Sequence, residues 1–221
     1  METLSDVIVK KPWGYEYLCY RNKFLAIWLL NINSQKQTSM HCHPKKNTGF
    51  IVLSGTVELS FLNNNIVLNE LDKIHIFKSR FHASKAISDS SAVVLEIESP
   101  EDKHDLVRLH DASGRENSKY ETAEYFTPKN GSELWIPEPT QSGIEQRIHK
   151  KRIGHQIANE EWVKENVKRN IKIIITSGSL QAGEDEKILN PGDVIDVKTL
   201  AKLCDKFDFE KNSSFVYVTD C

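Results

Sequence analysis

The stretch that decides the fold reads Met40-His41-Cys42-His43-Pro44 and continues into Phe50-Ile51-Val52-Leu53-Ser54-Gly55-Thr56-Val57. Side chains alternate along a strand, so an H-x-H pair on extended backbone places both imidazoles on one face. The apolar run before Ser54-Gly55 predicts a buried strand that ends in a tight turn. We therefore expect His41 and His43 to point together from a β-strand toward a common site.

A third histidine, His82, follows in Arg80-Phe81-His82. In a barrel of short strands, it can reach the same point from a neighbouring strand. Three neutral imidazoles leave coordination positions open for water or substrate, which suits zinc, iron, manganese, cobalt or nickel. The sequence therefore predicts one divalent metal ion held by His41, His43 and His82.

The rest of residues 1–111 consists of short β-branched and aromatic runs separated by turn-forming residues, which is typical of a sandwich or barrel. Residues 112–145 are polar and proline-containing, and we interpret them as a linker. Residues 146–221 predict further strands and one helix over Ala158–Lys168. We predict an all-β protein with a metal-binding barrel at 1–111 and a second domain at 146–221.

The two halves share a weak internal repeat. Residues 50–57 match residues 173–180 around a Ser-Gly pair, and residues 67–74 match residues 188–195 around an aspartate. Similar turns at similar spacing favour a duplicated β module, although chance similarity between short strands remains an alternative. The second copy has no H-x-H pair, so we expect it to be metal-free.

Composition and charge limit the kinds of molecule that the protein is expected to bind and the compartment in which it is expected to occur. The 221 residues carry 29 Lys and Arg against 31 Asp and Glu, a net charge of -2, which argues against nucleic acid. No apolar run approaches the ~20 residues that span a bilayer. The first residues, METLSDVIVKK, lack the apolar core of a signal peptide, so we expect a cytoplasmic protein.

The spacing His41-x-His43-x4-Thr48-x6-Gly55, followed by Asp72 and His82, resembles the two motifs of the cupin superfamily. The resemblance implies a jelly-roll barrel and, with the internal repeat, a bicupin whose second barrel is degenerate. Thr48 occupies the position at which cupins place a ligating glutamate. The resemblance therefore implies a site of three histidines without a carboxylate, in which Thr48 hydrogen-bonds a metal-bound water.

A closer resemblance covers residues 11–116. The segments that carry it are Lys11-Pro12-Trp13-Gly14-Tyr15-Glu16, Ile51–Glu58 and Leu95-Glu96-Ile97-Glu98-Ser99-Pro100, followed by Asp105-Leu106-Val107-Arg108 and Gly114-Arg115. They are similar to the C-terminal cupin domain of type II mannose-6-phosphate isomerases. This implies carbohydrate metabolism, polysaccharide biosynthesis and a sugar-phosphate isomerase activity.

Candidate residues for substrate binding and catalysis surround the histidines. A divalent ion on three neutral ligands keeps its positive charge, so the site should favour an anionic small molecule. Lys45, Lys46 and Arg80, together with Thr48, are the predicted substrate-binding residues. No catalytic base is identified. Two glutamates, Glu96 and Glu98, alternate with aliphatic residues: they are exposed if those aliphatics form the core, and one is a candidate base if the face is reversed.

Three functions remain open. The first is an isomerase or epimerase that acts on a phosphorylated or otherwise activated sugar. The second is an iron oxygenase, since three-histidine iron sites occur in cupin thiol dioxygenases. The third is a non-catalytic cupin that binds a sugar or an acid. Exposed aromatics in the linker and an uncovered barrel face further predict a homodimer.

Overall fold

The computed structural model describes residues 4–111, 113–115, 120–183 and 186–221, which form two compact units, Met1–Trp135 and Ile136–Cys221. Strands dominate both units, as predicted. No helix in the described part of the chain has the length and apolar character needed to cross a membrane.

The described residues of the first unit form twelve strands. They are β1 (Val7–Lys11), β2 (Gly14–Arg21), β3 (Ala26–Ile32), β4 (Met40–Cys42), β5 (Asn47–Ser54), β6 (Val57–Phe61), β7 (Asn65–Leu68), β8 (Lys73–Ile76), β9 (His82–Ala86), β10 (Ala92–Ser99), β11 (Val107–His110) and β12 (Phe126–Pro128). One sheet has the order β12-β1-β2-β3-β10-β5-β8 and the other the order β11-β4-β9-β6-β7. Two antiparallel sheets with these crossovers form the predicted jelly-roll barrel.

The interior of this barrel is filled by alternate residues of its strands. Trp28 on β3, Phe50 on β5, Leu59 on β6 and Val94 on β10 belong to one buried cluster. Each lies on the inward face of its strand, where alternation removes it from water. The apolar cluster occupies part of the barrel and leaves space for polar side chains farther along β10.

Strand β10 differs from the alternation that the sequence suggests. Leu95 and Ile97 are buried, yet Glu96 and Glu98 are only 6% and 1% exposed. The expectation that burying the aliphatics would expose the glutamates is wrong, because successive residues of β10, and therefore both faces of the strand, are buried. The glutamates share the inward face with Val94.

The segment predicted as a linker, residues 112–145, contains regular structure: β12 lies within it and β13 begins at its end. β12 pairs with β1 and completes the edge of the large sheet in the first unit. β13 begins at Ile144 and pairs with β14 in the second unit. The boundary between the units falls between Trp135 and Ile136, inside the segment. Residues 112 and 116–119 lie outside the described residues.

In the part of the second unit that the structure describes, there are eight strands and two helices. The strands are β13 (Ile144–Ile148), β14 (Lys151–Ile157), β15 (Lys172–Ser177), β16 (Leu180–Gln181), β17 (Lys187–Leu189), β18 (Val194–Asp196), β19 (Asp208–Phe209) and β20 (Ser214–Asp220), and the helices are α1 (Glu160–Glu165) and α2 (Val197–Cys204). The strands form sheets ordered β13-β14-β20-β15-β18 and β17-β16-β19.

Helix α1 lies within the predicted span, where the Asn159 side chain accepts hydrogen bonds from the N–H groups of Glu161 and Trp162. Helix α2 was not predicted, because Val197 ends an apolar run that resembles a strand. Its Leu200, Ala201 and Cys204 sit at helical spacing and are buried.

The repeated turns have the same hydrogen bonds in both units. The Leu71 N–H donates to Val52 O at 2.8 Å, and the Gly192 N–H donates to Ile175 O at 2.8 Å. The Asp72 carboxylate accepts from Asn69 N at 2.8 Å, as the Asp193 carboxylate accepts from Asn190 N at 2.7 Å. This equivalence supports a duplicated module. A complete second cupin barrel stays a prediction, since the second unit's sheets have five and three strands.

Gly14 is needed where β2 begins. Its φ is +147°, and a Cβ at this position would lie 2.0 Å from the backbone oxygen of Asn31 on β3. We predict that Gly14→Ala lowers the free energy of unfolding by more than about 3 kcal/mol, because the strands must separate. Gly131→Ala is the matched control: its φ is +90° with open space around the Cβ position, so it should cost about 1 kcal/mol. Urea unfolding measures both, and equal losses would contradict the steric argument.

Candidate metal centre

The three predicted histidines meet at one end of the smaller sheet. His41 lies on β4, His43 follows its last residue, and His82 begins β9, where it pairs directly with His41. Their ring centroids are 4.5 to 5.6 Å apart, and one ring nitrogen from each lies within 4.8 Å of the others. They are the single group of three or more His, Cys, Asp or Glu side chains within the described residues that could hold a metal ion.

Backbone carbonyls determine which ring nitrogen of each histidine faces the centre. Nδ1 of His41 lies 2.8 Å from Ser39 O, Nδ1 of His43 lies 2.6 Å from Asp105 O, and Nδ1 of His82 lies 2.9 Å from Arg80 O. A carbonyl can only accept, so each Nδ1 carries the proton. Each Nε2 then presents a lone pair, which is the arrangement of metal-ligating histidines.

The rings are neutral because they are buried. Burial lowers the pKa of His43 to about 2, with a further contribution from the Lys46 ammonium. Burial lowers the pKa of His82 to about 4 and holds the pKa of His41 well below its usual value. Among the described residues, Nε2 of His43 and of His82 has no hydrogen-bond partner. Converging, deprotonated and unpartnered nitrogens fit a divalent ion.

A cavity of about 60 Å³ adjoins the histidines. His41 and His43 line it together with Trp13, Leu30, Thr38 and Ser39. Its charged lining consists of Lys11, Lys46, Lys103, Arg108 and Arg115, with Glu16, Glu96 and Glu98. Five cations therefore surround three carboxylates, so the cavity suits an anionic ligand or the anionic end of a larger one.

The two glutamates of β10 have different partners. Oε1 of Glu98 accepts from Lys46 Nζ at 2.8 Å and from Lys103 Nζ at 2.9 Å. Oε2 of Glu96 lies 3.7 Å from Lys103 Nζ. Glu98 thus has two direct ammonium partners, whereas Glu96 has one that is more distant.

This difference separates their acidities. Burial raises the pKa of Glu96 to about 7; the Lys103 ammonium opposes that rise, and the Glu98 carboxylate adds to it. Burial would raise the pKa of Glu98 as well, but Lys103 and Lys46 hold it below its usual value. Glu96 can therefore gain or lose a proton near neutral pH, while Glu98 stays a carboxylate.

The segment that follows β10 braces the centre. Besides the bond from His43 to its carbonyl, Asp105 accepts at its carboxylate from the backbone N–H groups of Lys45 and Lys46, at 2.9 and 3.0 Å. The carbonyl of Asp102 accepts from Lys46 Nζ at 3.0 Å. One short segment thus fixes a histidine ring and the lysine that holds Glu98.

The structure brings part of the predicted substrate-binding set to the cavity. Lys46 lines it and is 1% exposed. Thr48 is buried but is not part of the cavity lining, and its Oγ1 has no hydrogen-bond partner among the described residues. Lys45 is exposed, and exposed Arg80 places its guanidinium carbon 4.0 Å from the centre of the Phe61 ring. Neither lines the cavity, because both side chains leave the turns that carry them toward the surface, so their role in binding stays a prediction.

Several cavity residues were missed by reasoning from the sequence. The Tyr120 hydroxyl donates to Glu16 at 2.5 Å, and Lys103 lies 3.4 Å from the same carboxylate. Lys11, Glu16, Arg108 and Arg115 all fall within the segments that carried the family resemblance, which was the available signal for them. Lys103 and Tyr120 had no such signal, because loop residues become cavity residues only through the fold.

Comparison with known proteins supports the resemblance seen in the sequence. Residues 2–111 match the family model described as mannose-6-phosphate isomerase C-terminal. The match covers the barrel strands β1–β11 and all three histidines. No curated protein matches the chain.

Three of the solved structures that are similar to this chain are described by their identity, TM-score and coverage. KdgF from Halomonas sp. is 16% identical, with a TM-score of 0.41 over 44% of this chain and 89% of that one. A cupin-2 domain containing protein from Shewanella frigidimarina is 21% identical, with a TM-score of 0.36 over 40% and 82%. A candidate sugar phosphate isomerase from Acidithiobacillus ferrooxidans is 20% identical, with a TM-score of 0.36 over 42% and 64%. Similarity at these levels does not identify a substrate.

We predict that His41→Ala abolishes binding of a divalent ion, because two imidazoles and no carboxylate make a poor site. Metal analysis of protein purified without chelator measures the ion content. His75→Ala is the matched control, since His75 lies on β8 outside the ligand group and should leave the metal content unchanged. Equal metal content in wild type and His41→Ala would contradict the assignment.

Proposed function

We propose, from the premise that residues 2–111 match the mannose-6-phosphate isomerase C-terminal family, that this protein is a metal-dependent sugar isomerase or epimerase. Its substrate is a phosphorylated or otherwise activated sugar. The observation that carries the proposal is the cavity in which the ligand group borders both Glu96 and a surplus of cations.

His41, His43 and His82 are the residues that would hold the ion. The chemistry that a divalent ion supplies there is Lewis-acid polarisation of a carbonyl or of neighbouring hydroxyls. Three neutral ligands leave the charge of the ion uncompensated, which strengthens this effect. The backbone carbonyls on Nδ1 keep the rings oriented without adding charge.

Glu96 is the proposed general base. Isomerisation and epimerisation both require a proton to leave a carbon beside a carbonyl and to return to the same or the adjacent carbon. A carboxyl group with a pKa of about 7 suits this exchange near neutral pH, because its pKa lies close to the operating pH and both its acid and its base forms are populated. Lys103 stabilises its charged form from 3.7 Å.

The cations that line the cavity are proposed to bind the anionic group of the substrate. Arg115 is 17% exposed at its side chain and donates to Asp111 and Glu121, at 2.5 and 2.6 Å, so it presents a guanidinium that is already oriented. Lys11 pairs with Glu121 as well. A phosphate would extend this network, since guanidinium groups bind phosphate with parallel hydrogen bonds.

An iron oxygenase is the second candidate. The observation that favours it is the ligand group itself, which contains three histidines and no carboxylate. Oxygen consumption by the iron-loaded protein distinguishes it from the isomerase. A binding protein without catalysis would bind the sugar phosphate but leave its carbon-bound protons in place.

We further propose a homodimeric, cytoplasmic protein. In this proposal, residues 1–111 form the catalytic cupin barrel, residues 112–145 the connection and residues 146–221 a degenerate, metal-free cupin-like domain. Equivalent turns in the two units support the last point. Light scattering measures the oligomeric state.

We predict that Glu96→Gln lowers kcat by about 10²- to 10⁴-fold, because the amide cannot take the proton. The measurement is exchange of the C2 proton of mannose 6-phosphate in deuterated water, followed by NMR. In wild type, kcat should rise as pH increases through about 7, since the base form of Glu96 populates above its pKa. Glu58→Gln on β6 is the control variant. Full exchange activity in Glu96→Gln would contradict the assignment.

We also predict that the metal-loaded protein binds mannose 6-phosphate at least tenfold more tightly than mannose, which is about 1.4 kcal/mol. Calorimetry measures both. Arg115→Gln should remove the preference if the phosphate lies in the cavity, whereas Arg80→Ala should remove it if the phosphate lies at the turn before β9. Equal affinity for the two sugars would refute an anion site, and loss of the preference in Arg80→Ala alone would place that site at the turn before β9.

A further inference from the structure

Thr48 and Glu98 face each other across two neighbouring strands. Thr48 on β5 is the register partner of Glu98 on β10 in an antiparallel pair. Directly opposite residues of such a pair project from the same face of the sheet. That face also carries Phe50, whose ring centroid lies 6.0 Å from that of His82. Thr48 and Glu98 therefore project into the barrel on the side where the histidines meet.

Both side chains hold an unsatisfied polar atom. Each residue is 1% exposed, and neither Thr48 Oγ1 nor Glu98 Oε2 has a hydrogen-bond partner among the described residues. Leaving such atoms unpaired in the interior is unfavourable. Nε2 of His43 and Nε2 of His82 are likewise buried without a hydrogen-bond partner among the described residues. Two of these four buried atoms lie on the β5–β10 pair of the large sheet, and the other two lie on β9 and just after β4 of the smaller sheet. Unpartnered atoms that face one another from the two sheets point to one ligand site that all of them serve.

The two lysines leave one oxygen of Glu98 available. Lys46 and Lys103 both bind Oε1, so the carboxylate is held in place and charged while Oε2 stays open. Glu98 lines the same cavity as His41 and His43. It is not part of the group whose ligand atoms lie within 4.8 Å of one another. Glu98 would therefore contact an ion held by the histidines through a bridging hydroxyl or water.

We propose that Glu98 is the carboxylate of this metal centre, supplied from β10 in place of the acid that Thr48 lacks on β5. Oε2 accepts a hydrogen bond from a water or substrate hydroxyl on the ion, and Thr48 Oγ1 contacts the same oxygen. This inference rests on the proposed metal site. It gives the two glutamates separate roles, since Glu98 orients the ligand of the ion whereas Glu96 exchanges a proton with substrate.

Zinc affinity tests the proposal without any activity assay. Full-length wild type, Glu98→Gln, Glu96→Gln and the double variant Thr48→Glu/Glu98→Gln are titrated against a chromophoric chelator. Glu98→Gln should bind zinc about 10- to 100-fold more weakly, as expected when a group outside the ligand set is removed. Glu96→Gln, which replaces the other buried carboxyl group of β10 by the same amide, should stay within about threefold of wild type.

The double variant tests position rather than charge. It keeps one carboxylate on the β5–β10 pair but moves it to the strand that carries position 48, so it should recover zinc affinity to within about threefold of wild type. The visible spectrum of the Co²⁺ form should differ between wild type and Glu98→Gln, because the environment of the metal-bound water changes. If Glu98→Gln fails to fold, Glu98→Asp keeps the charge, shortens its reach and must still weaken zinc binding about tenfold.

Two results would overturn the inference while leaving the metal site intact: zinc affinity unchanged in Glu98→Gln, or an equal loss in Glu96→Gln. Failure of wild type to bind zinc would instead remove the proposed function itself, and with it this role for Glu98.

Discussion

Strand β10 places two carboxylates in the interior of a barrel, and the rest of the site follows from the need to compensate them. A buried carboxylate without a partner is strongly unfavourable, so each must be paired or neutralised. Lys46 and Lys103 bind Glu98 directly, and Lys103 also approaches Glu96 and Glu16. Replacing such a network by apolar side chains would be as stable or more so, which argues that the charges are retained for the ligand.

The same compensation connects the carboxylates to the histidines. Asp105 belongs to the same segment as Lys103. Its carbonyl oxygen accepts a hydrogen bond from Nδ1 of His43, and its carboxylate accepts one from the backbone N–H of Lys46. Orientation of the ring and pairing of Glu98 are therefore produced by one stretch of chain.

The second unit repeats the turn of the first. Gly55 and Gly178 have φ of +77° and +67°, and both follow a buried strand that bonds to a distant turn. His155 in the second unit is buried, but its two ring nitrogens lie 2.7 Å from Pro137 O and 2.9 Å from Thr176 Oγ1. Both nitrogens are thus satisfied within the unit, which is how a structural histidine differs from one prepared for a ligand.

Short-range sequence patterns were sufficient to predict the β class and the two neighbouring histidines of the cluster, His41 and His43. The H-x-H pair and the Ser-Gly turn are local signals, because strand alternation and turn geometry depend on adjacent residues. His82 was predicted to reach the same point from a neighbouring strand of the barrel, and the structure places it in one cluster with His41 and His43. The resemblance over the first half was confirmed by the family match.

Only the tertiary structure decided which charges belong to the site. Alternation along β10 places Glu96 and Glu98 on the opposite face from Leu95 and Ile97. It does not show that both faces are buried, since that depends on which parts of the chain pack against each face of the sheet. Lys103 and Tyr120 reach the cavity from loops, whose side chains have no periodic signal. The sequence by itself therefore determined a barrel and its three histidines, whereas the pairing of strands and the closure of loops determined the carboxylates and cations around them, because burial and proximity are properties of the whole fold.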